Sequence, residues 1–353
     1  MAATPILNIF RGDAFSNISL TKLVNKVPYV PSYLGKLDLF DPAPLLTTGY
    51  AVDRLQGINT LIPVSPRGAP PDQRVEEKRD ITYFDVPRLA RKTKVQASEI
   101  QNVRSLEAPQ QLMTVMEMVA RKLTGKTGLT KQAELTWENH RLGAVMGIVL
   151  DSDGTTQVAN YFTKFGIAQP TPVNFDLKNA AAYPDGTLRS QLNAVARTMI
   201  RASQGAYIDG ESELMALCGD NFFDALINHP DVVETYKNWF EAAKLREGSA
   251  FGMRQFGGFT FVNYRGTDDG TTIGVNTNRC QFFINKAPGC FEVAWAPGET
   301  FDDVNQMGKP MYIYTLPDPS GKNAFIEFEL NSFPLFVNLR PETIQVGLLA
   351  AGS

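Results

Sequence analysis

The chain of 353 residues has little of what usually announces a chemistry. Its three cysteines, Cys218, Cys280 and Cys290, are an odd number with no Cys-x-x-Cys pair, which excludes a secreted disulfide framework and a zinc ribbon and makes a reducing compartment the simplest setting. Its two histidines, His140 and His229, form neither a His-x-x-x-His nor a His-Glu-x-x-His spacing, so no metal site arises from neighbouring ligands. No run approaches the ~18 to 20 consecutive apolar residues of a membrane span, and the start Met-Ala-Ala-Thr-Pro lacks the basic and apolar segments of a signal peptide. A soluble chain, neither exported nor in contact with a membrane, is expected. An excess of either charge is missing too, with 34 basic side chains against 37 acidic ones and a net charge of -3. Dedicated nucleic-acid binders draw their affinity from clustered cations, so that class is excluded, although proximity to DNA is not.

Catalytic signatures are equally scarce. There is no Gly-x-Ser-x-Gly elbow. Gly125-Lys126-Thr127 ends like a phosphate-binding loop, but Ala120 stands where the first glycine is required, and the segment follows a helix instead of a strand. Asp151-Ser152-Asp153-Gly154 opens like a calcium loop yet lacks the later ligands, so it predicts a hairpin turn. Cys218 falls on an apolar stripe with Leu214, Phe222 and Leu226, which predicts a helix and a buried thiol. Cys280 and Cys290 fall in strands that can lie close together. His140, beside Glu138 and Arg141, and His229, before Pro230, fit structural roles. No catalytic residue, cofactor or metal ligand is expected, and the chain is not expected to be an enzyme.

What is present is an ordinary apolar content of 43% and enough length for roughly two domains, able to fold without disulfides or metal. Residues 1–48 carry five prolines among short apolar groups and predict an arm that gains order from what it lies on. Two extended segments, 53–64 and 79–86, flank a polar tip at 65–78 and predict a long hairpin, a connection usually reserved for function. Helical periodicity follows from Pro109 through Leu112, Val115, Met116, Val119 and Leu123, is interrupted at Gly125 and Gly128, and resumes over 130–146 with Leu135, Leu142 and Met146 on one stripe. A hairpin is expected from 147 to 162. Further helices are predicted on Leu188, Leu192, Val195 and Met199, on 214–226, and on Val232, Val233, Tyr236, Phe240 and Ala243. Short strands follow at 259–264, 281–285, 291–295, 311–316, 324–330, 333–339 and 343–349. Helices and strands segregate along the chain, which is an α+β pattern.

Two basic groups stand out. Arg88, Arg91, Lys92 and Lys94 place four positive charges in seven residues, and Arg189, Arg197 and Arg201 lie opposite an apolar helix stripe. Either is most simply a solvated face. The functional alternative is charge pairing between subunits, in which Arg88, Arg91, Lys92 and Lys94 meet the hairpin tip of a neighbour, where Arg67, Arg74, Glu76, Glu77 and Lys78 lie.

Several stretches resemble a known family. Residues 136–147, TWENHRLGAVMG, run into Ile148-Val149-Leu150-Asp151 and the Asp153-Gly154 turn. Residues 214–236, LMALCGDNFFDALINHPDVVETY, are similar to a "G-x-x-F-x-x-x-L-x-x-H-x-x-V" stretch, and residues 256–266, FGGFTFVNYRG, and 334–341, PLFVNLRP, to the strands that follow it. Together, and in this order, they resemble the major capsid proteins of lambda-type tailed bacteriophages, the E family. The likeness spans about residues 50–349, with the arm matching weakly and the Gly125–Gly128 interruption departing from an unbroken spine helix.

That resemblance implies the Hong Kong 97 capsid fold. Residues 1–48 would be the N-terminal arm, 49–95 the extended loop, 96–178 with 322–353 the peripheral domain containing the spine helix, and 179–321 the axial domain. It implies a structural protein that self-assembles as pentamers and hexamers into an icosahedral shell around double-stranded DNA, without sequence-specific binding. Assembly would occur in the host cytoplasm, with a scaffold and a portal as partners and the binding of a decoration protein left open, and the product would be the virion. An encapsulin-type compartment, and an enzyme whose site is built from distant residues, are the alternatives.

Overall fold

The computed structural model describes residues 33–56, 78–101, 118–125, 128–179, 186–237, 253–264, 266–267 and 273–350. The first described residues already reach the core. A short helix α1, Tyr33–Lys36, buries Leu34 completely, and strand β1, Asp41–Pro44, pairs in parallel with β12, Phe291–Trp295. Prolines disguise β1 in the sequence, but it is an edge strand, where a missing N–H costs no ladder bond. Residues 33–44, part of the segment expected to gain order from what it lies on, lie against the body through Leu34 and β1.

Strands β2, Gly49–Gln56, and β3, Lys78–Asp85, form an antiparallel ribbon in the register Gly49↔Asp85, in keeping with the predicted hairpin; its tip lies outside the described residues. Strand β4, Leu89–Gln96, then joins a three-stranded sheet with β14, Phe325–Ser332, and β13, Tyr312–Pro317. The helix α2, Ala97–Gln101, follows it, and residues 118–124 are again helical; Leu112, Val115 and Met116 lie outside the described residues.

The longest helix, α3, spans Leu129–Met146. Its buried face carries Leu129, Ala133, Trp137, Leu142, Ala144 and Val145, whereas Leu135, expected on the apolar stripe, is 41% exposed. The helix ends because Gly147 adopts φ +84°, and a Cβ there would stand 2.3 Å from the Phe162 ring. One turn earlier, a Cβ on Gly143 would lie 2.8 Å from the Val149 Cα, so glycine lets the helix press against the hairpin β5, Ile148–Leu150, and β6, Gln157–Asn160. The strand predicted to reach 162 instead stops at Asn160, which caps helix α4, Tyr161–Phe165, by accepting from the Thr163 N–H at 3.2 Å.

A six-stranded mixed sheet forms the second mass. Its order is β7 (Val173–Phe175), β16 (Gln345–Leu349), β11 (Arg279–Asn285), β8 (Glu213–Cys218), β10 (Phe259–Asn263) and β9 (Met253–Phe256). Phe175, Phe222, Phe259, Phe261 and Phe282 pack edge to face or tilted around it, with ring centroids 5.0 to 6.1 Å apart. Helix α5, Thr187–Ala202, buries Leu188, Leu192, Val195 and Met199 as its period predicts. Residues 214–218, expected to be helical, are the strand β8, and only α6, Asp220–Ile227, is helical. Five buried apolar residues in a row fit a central strand covered on both faces, which periodicity does not separate from a buried helix. Helix α7, Pro230–Lys237, follows; Phe240 and Ala243 lie outside the described residues.

A third sheet, in the order β1, β12, β15, includes β15, Pro334–Asn338. Two strands cross the boundaries drawn from sequence. β16, from 322–353, is bonded to β11 of 179–321, and β12, from 179–321, is bonded to β15. Trp137 joins the layers: its Nε1 donates to Ser332 Oγ at 3.2 Å and its ring meets Trp295 at 5.0 Å. No helix among the described residues is long and apolar enough to cross a membrane.

Candidate assembly surfaces

Among the described residues the ribbon of β2 and β3 belongs to no larger sheet, so its two faces decide its role. Alternation turns Val52 and Phe84 inward, where Phe84 meets Tyr161 at 5.9 Å and Phe165 at 5.6 Å. Two polar ties fix the ribbon to the body and a third joins its own strands. Tyr50 donates its hydroxyl to Glu292, Arg54 pairs with Glu342 at 2.8 Å while stacking over Phe165 at 4.7 Å, and Arg79 Nε donates to Asp53 at 2.6 Å. The outer face exposes Ile81 and Tyr83, at 45% and 70%. Apolar side chains on a held ribbon are what a second subunit can cover.

The basic group lies on β4 and its start, and most of it is already neutralised within the chain. Arg88 pairs with Glu329 and Glu299, both at 3.0 Å. Lys94 reaches Glu327 at 2.7 Å and lies 4.3 Å above the Phe325 ring, while Lys92 reaches Glu327 at 3.4 Å. The register explains this, since β14 sets Glu327 opposite Lys94 and Glu329 opposite Lys92. Glu327, with about a tenth of its side chain exposed, has its carboxyl held below the usual range, first by the hydrogen bond from Lys94 and then by that from Lys92. Arg91 points to the other face and has no carboxylate among the described residues. It lines a cleft of about 440 Å³ with Thr93, Glu99, Met118, Arg121 and Leu129. Of the tip residues expected to answer this group, Arg67, Arg74, Glu76 and Glu77 lie outside the described residues; Lys78 opens β3, opposite Gln56. Arg189, Arg197 and Arg201 are all exposed, with Arg189 5.8 Å from the Phe256 ring.

A further junction was invisible to sequence reasoning. Glu138, 5% exposed on α3, accepts from the Leu34 N–H at 2.9 Å, the Gly35 N–H at 3.3 Å, Tyr264 Oη at 3.1 Å and Arg141 Nη1 at 3.5 Å. Its one signal was a carboxylate flanked by buried positions. His140, two residues on, is buried, and burial pulls its imidazole down to about 4, against a smaller opposing pull from Asp151. Cys280 does not meet Cys290. It faces Cys218 across the β8–β11 ladder with sulfurs 3.2 Å apart, and burial first, then the neighbouring thiol, pushes the Cys280 thiol up. Among the described residues no cluster of His, Cys, Asp and Glu is arranged to hold a metal ion.

An interleaved α+β body, a ribbon set apart from the sheets and charged strands at its base define a class, the shell proteins of the Hong Kong 97 fold. Two solved structures carry that fold likeness. The bacteriophage PhiM1 mature capsid covers 92% of this chain and 89% of its own at 11% identity, with a TM-score of 0.51. A prophage capsid protein from E. coli CFT073 covers 97% and 96% at 12% identity, with a TM-score of 0.50. The chain belongs to the family described as phage major capsid protein E, whose profile matches residues 18–346. It is 25% identical over 359 residues to the major capsid protein of Salmonella phage Felix O1 (isolate Felix O1-VT1), and 25% over 345 residues to that of Pseudomonas phage KPP10. Each alignment covers 92% of this chain and 94% of the relative. The chain is accordingly a structural protein of the virion that associates with copies of itself, and not an enzyme.

Proposed function

We propose that this chain assembles in the host cytoplasm as pentamers and hexamers into an icosahedral head that encloses double-stranded DNA, with a scaffold and a portal as partners. The observation that carries the assembly mode is the β2–β3 ribbon: fixed at its base, bonded to no other strand among the described residues and exposing Ile81 and Tyr83, it offers a face for the adjacent subunit. Residues 49–95 then serve as the extended loop, 1–48 as the arm, 96–178 with 322–353 as the peripheral domain and 179–321 as the axial domain. Many modest contacts of this kind, repeated around a closed shell, add up to high avidity.

The charged residues Arg67, Arg74, Glu76, Glu77 and Lys78 of the tip are assigned to contacts between subunits. Their counterparts Arg88, Lys92 and Lys94 would exchange internal carboxylate partners for external ones as the shell closes. A net charge of -3 suits a wall along which DNA slides, because a strongly basic lining would hold phosphates through counterion release. Expression of the chain alone and with its scaffold, viewed by negative-stain electron microscopy, tests the reading. Shells or hexameric rings are expected, with DNA and not a packaged protein inside native particles; a small discrete oligomer would overturn it.

A further inference from the structure

We propose that Phe301 of one copy inserts into the cleft beside Arg91 and Arg121 of an adjacent copy, a knob-and-hole contact between subunits that rests on the shell reading above.

The knob lies on the connection from β12 to β13. Phe301 is 98% exposed, and Val304 and Met307 beside it are more than half exposed. A slack loop would bury such a side chain against its own surface, but this connection is held from within. Thr300 Oγ1 and Tyr314 Oη both donate to Asp303 Oδ2, at 2.5 and 2.6 Å, and the Asp303 N–H donates to the Thr300 carbonyl at 3.0 Å. Gly298 passes so close that a Cβ would stand 2.3 Å from the same carboxylate oxygen, and the Gly308 N–H donates to the Leu45 carbonyl at 2.9 Å. The phenylalanine is thus presented to solvent by a preformed support, and little ordering remains to be done on binding. Rigid aromatic anchors of this kind dominate interface energetics when a pocket receives them.

The hole is the cleft of about 440 Å³ between β4, the helical residues 118–124 and the start of α3. Met118 and Leu129 give it an apolar lining, and Arg91, Lys92, Arg121 and Lys122 outnumber Glu99, the one carboxylate among its described lining residues. Lys122 is tied to Glu99 at 2.5 Å and to the Lys94 carbonyl, and Lys92 turns to Glu327, which leaves Arg91 and Arg121 without a carboxylate among the described residues. The knob has the opposite sign. Asp302, exposed, follows Phe301, whereas Glu299, two residues before it, already pairs with Arg88 at 3.0 Å. An apolar tip with the exposed carboxylate of Asp302 beside it therefore meets an apolar floor edged by Arg91 and Arg121, which fixes orientation as well as contact. With 98% of its surface free, Phe301 does not occupy the cleft of its own chain. Knob and hole are different surfaces, so the contact is head to tail, the kind that forms a ring wherever the rotation between copies closes.

Two arms test this on assembled particles of the full chain. Phe301→Cys and Gln132→Cys, placed together, are expected to give a ladder of disulfide-linked subunits on non-reducing denaturing gels after mild copper-phenanthroline oxidation, with no ladder from either substitution alone. The native Cys218, Cys280 and Cys290 are buried and stay out of this chemistry. Separately, Asp302→Lys and Arg121→Glu are each expected to lower particle yield about tenfold or more, the effect of losing an anchor contact, and to restore it when combined. Particles that form at wild-type yield from Phe301→Ser, or a charge swap without rescue, overturn the contact while leaving the shell reading intact. Failure of the unaltered chain to form particles with its scaffold overturns the shell reading itself.

Discussion

Tyr264 donates its hydroxyl to the buried carboxylate of Glu138 across 3.1 Å, a bond that ties the end of β10 to the long helix α3. Burial, followed by the nearby carboxylate, pushes the Tyr264 hydroxyl up, so it stays protonated and keeps donating. The same oxygen, Oε1, also accepts from the Leu34 amide, and Oε2 accepts from the Gly35 amide, so one side chain joins the helix α1, the long helix α3 and the six-stranded sheet.

Replacing Glu138 by Gln turns an acceptor into a donor facing backbone N–H groups. A loss of about 2 kcal/mol in subunit stability is expected, with faster proteolytic cleavage near Tyr33, because charge-assisted bonds to a buried acceptor are lost. Chemical unfolding and limited proteolysis of the unassembled subunit read both.

Gly147→Ala should destabilise the subunit by about 2 to 4 kcal/mol, since the new methyl would enter the Phe162 ring at a left-handed backbone position. Gly154 supplies the control. It also has positive φ, +70°, but a Cβ there meets nothing within 4 Å, so Gly154→Ala should cost only about 1 kcal/mol. Equal losses at the two sites would contradict the close approach.

His140 makes the subunit acid-sensitive. The native state keeps the ring neutral down to about pH 4, whereas the unfolded chain takes up the proton near pH 6.5. The unfolded state therefore binds more protons in this window, and stability falls as pH drops from 6.5 towards 4, by roughly 3 kcal/mol in total. His140→Gln should flatten that part of the profile. Urea midpoints for both proteins at pH 7 and pH 5 check it, and parallel profiles would contradict it.

Removing residues 1–32, or the tip 65–78, should leave soluble subunits that do not close into shells. Extending the first deletion to residue 48 should instead destabilise the subunit by several kcal/mol, because it strips Leu34 and Phe40 from the core. Sedimentation and electron microscopy separate the two outcomes.

The elements legible in the sequence are those whose own residues carry the signal. Helix α5 shows its stripe at 188, 192, 195 and 199, and strands β11 to β16 are short apolar runs between turn residues. Others were hidden for physical reasons. Leu214 to Cys218 is apolar throughout and carries no period, β1 is half proline, and β4 reads as a basic cluster because its charges alternate with Leu89, Thr93 and Val95. Site geometry was less accessible still. Arg88 and Lys92 were visible as cations, but Glu329 and Glu327, which neutralise them, lie 241 and 235 residues away. Glu138 gathers donors from three parts of the chain, and Cys218 meets Cys280 through pairing that spacing cannot express.

The parallel pairing of β1 with β12 also sets a clock on synthesis. Tyr50 waits for Glu292, 242 positions later, and Arg88 for Glu329, 241 positions later, so neither end of the ribbon is secured until most of the chain has left the ribosome. At roughly 5 to 20 residues per second this delay is on the order of ten to fifty seconds. A nascent chain lacks a finished platform for its ribbon throughout that time, which postpones premature association between neighbouring chains on one message.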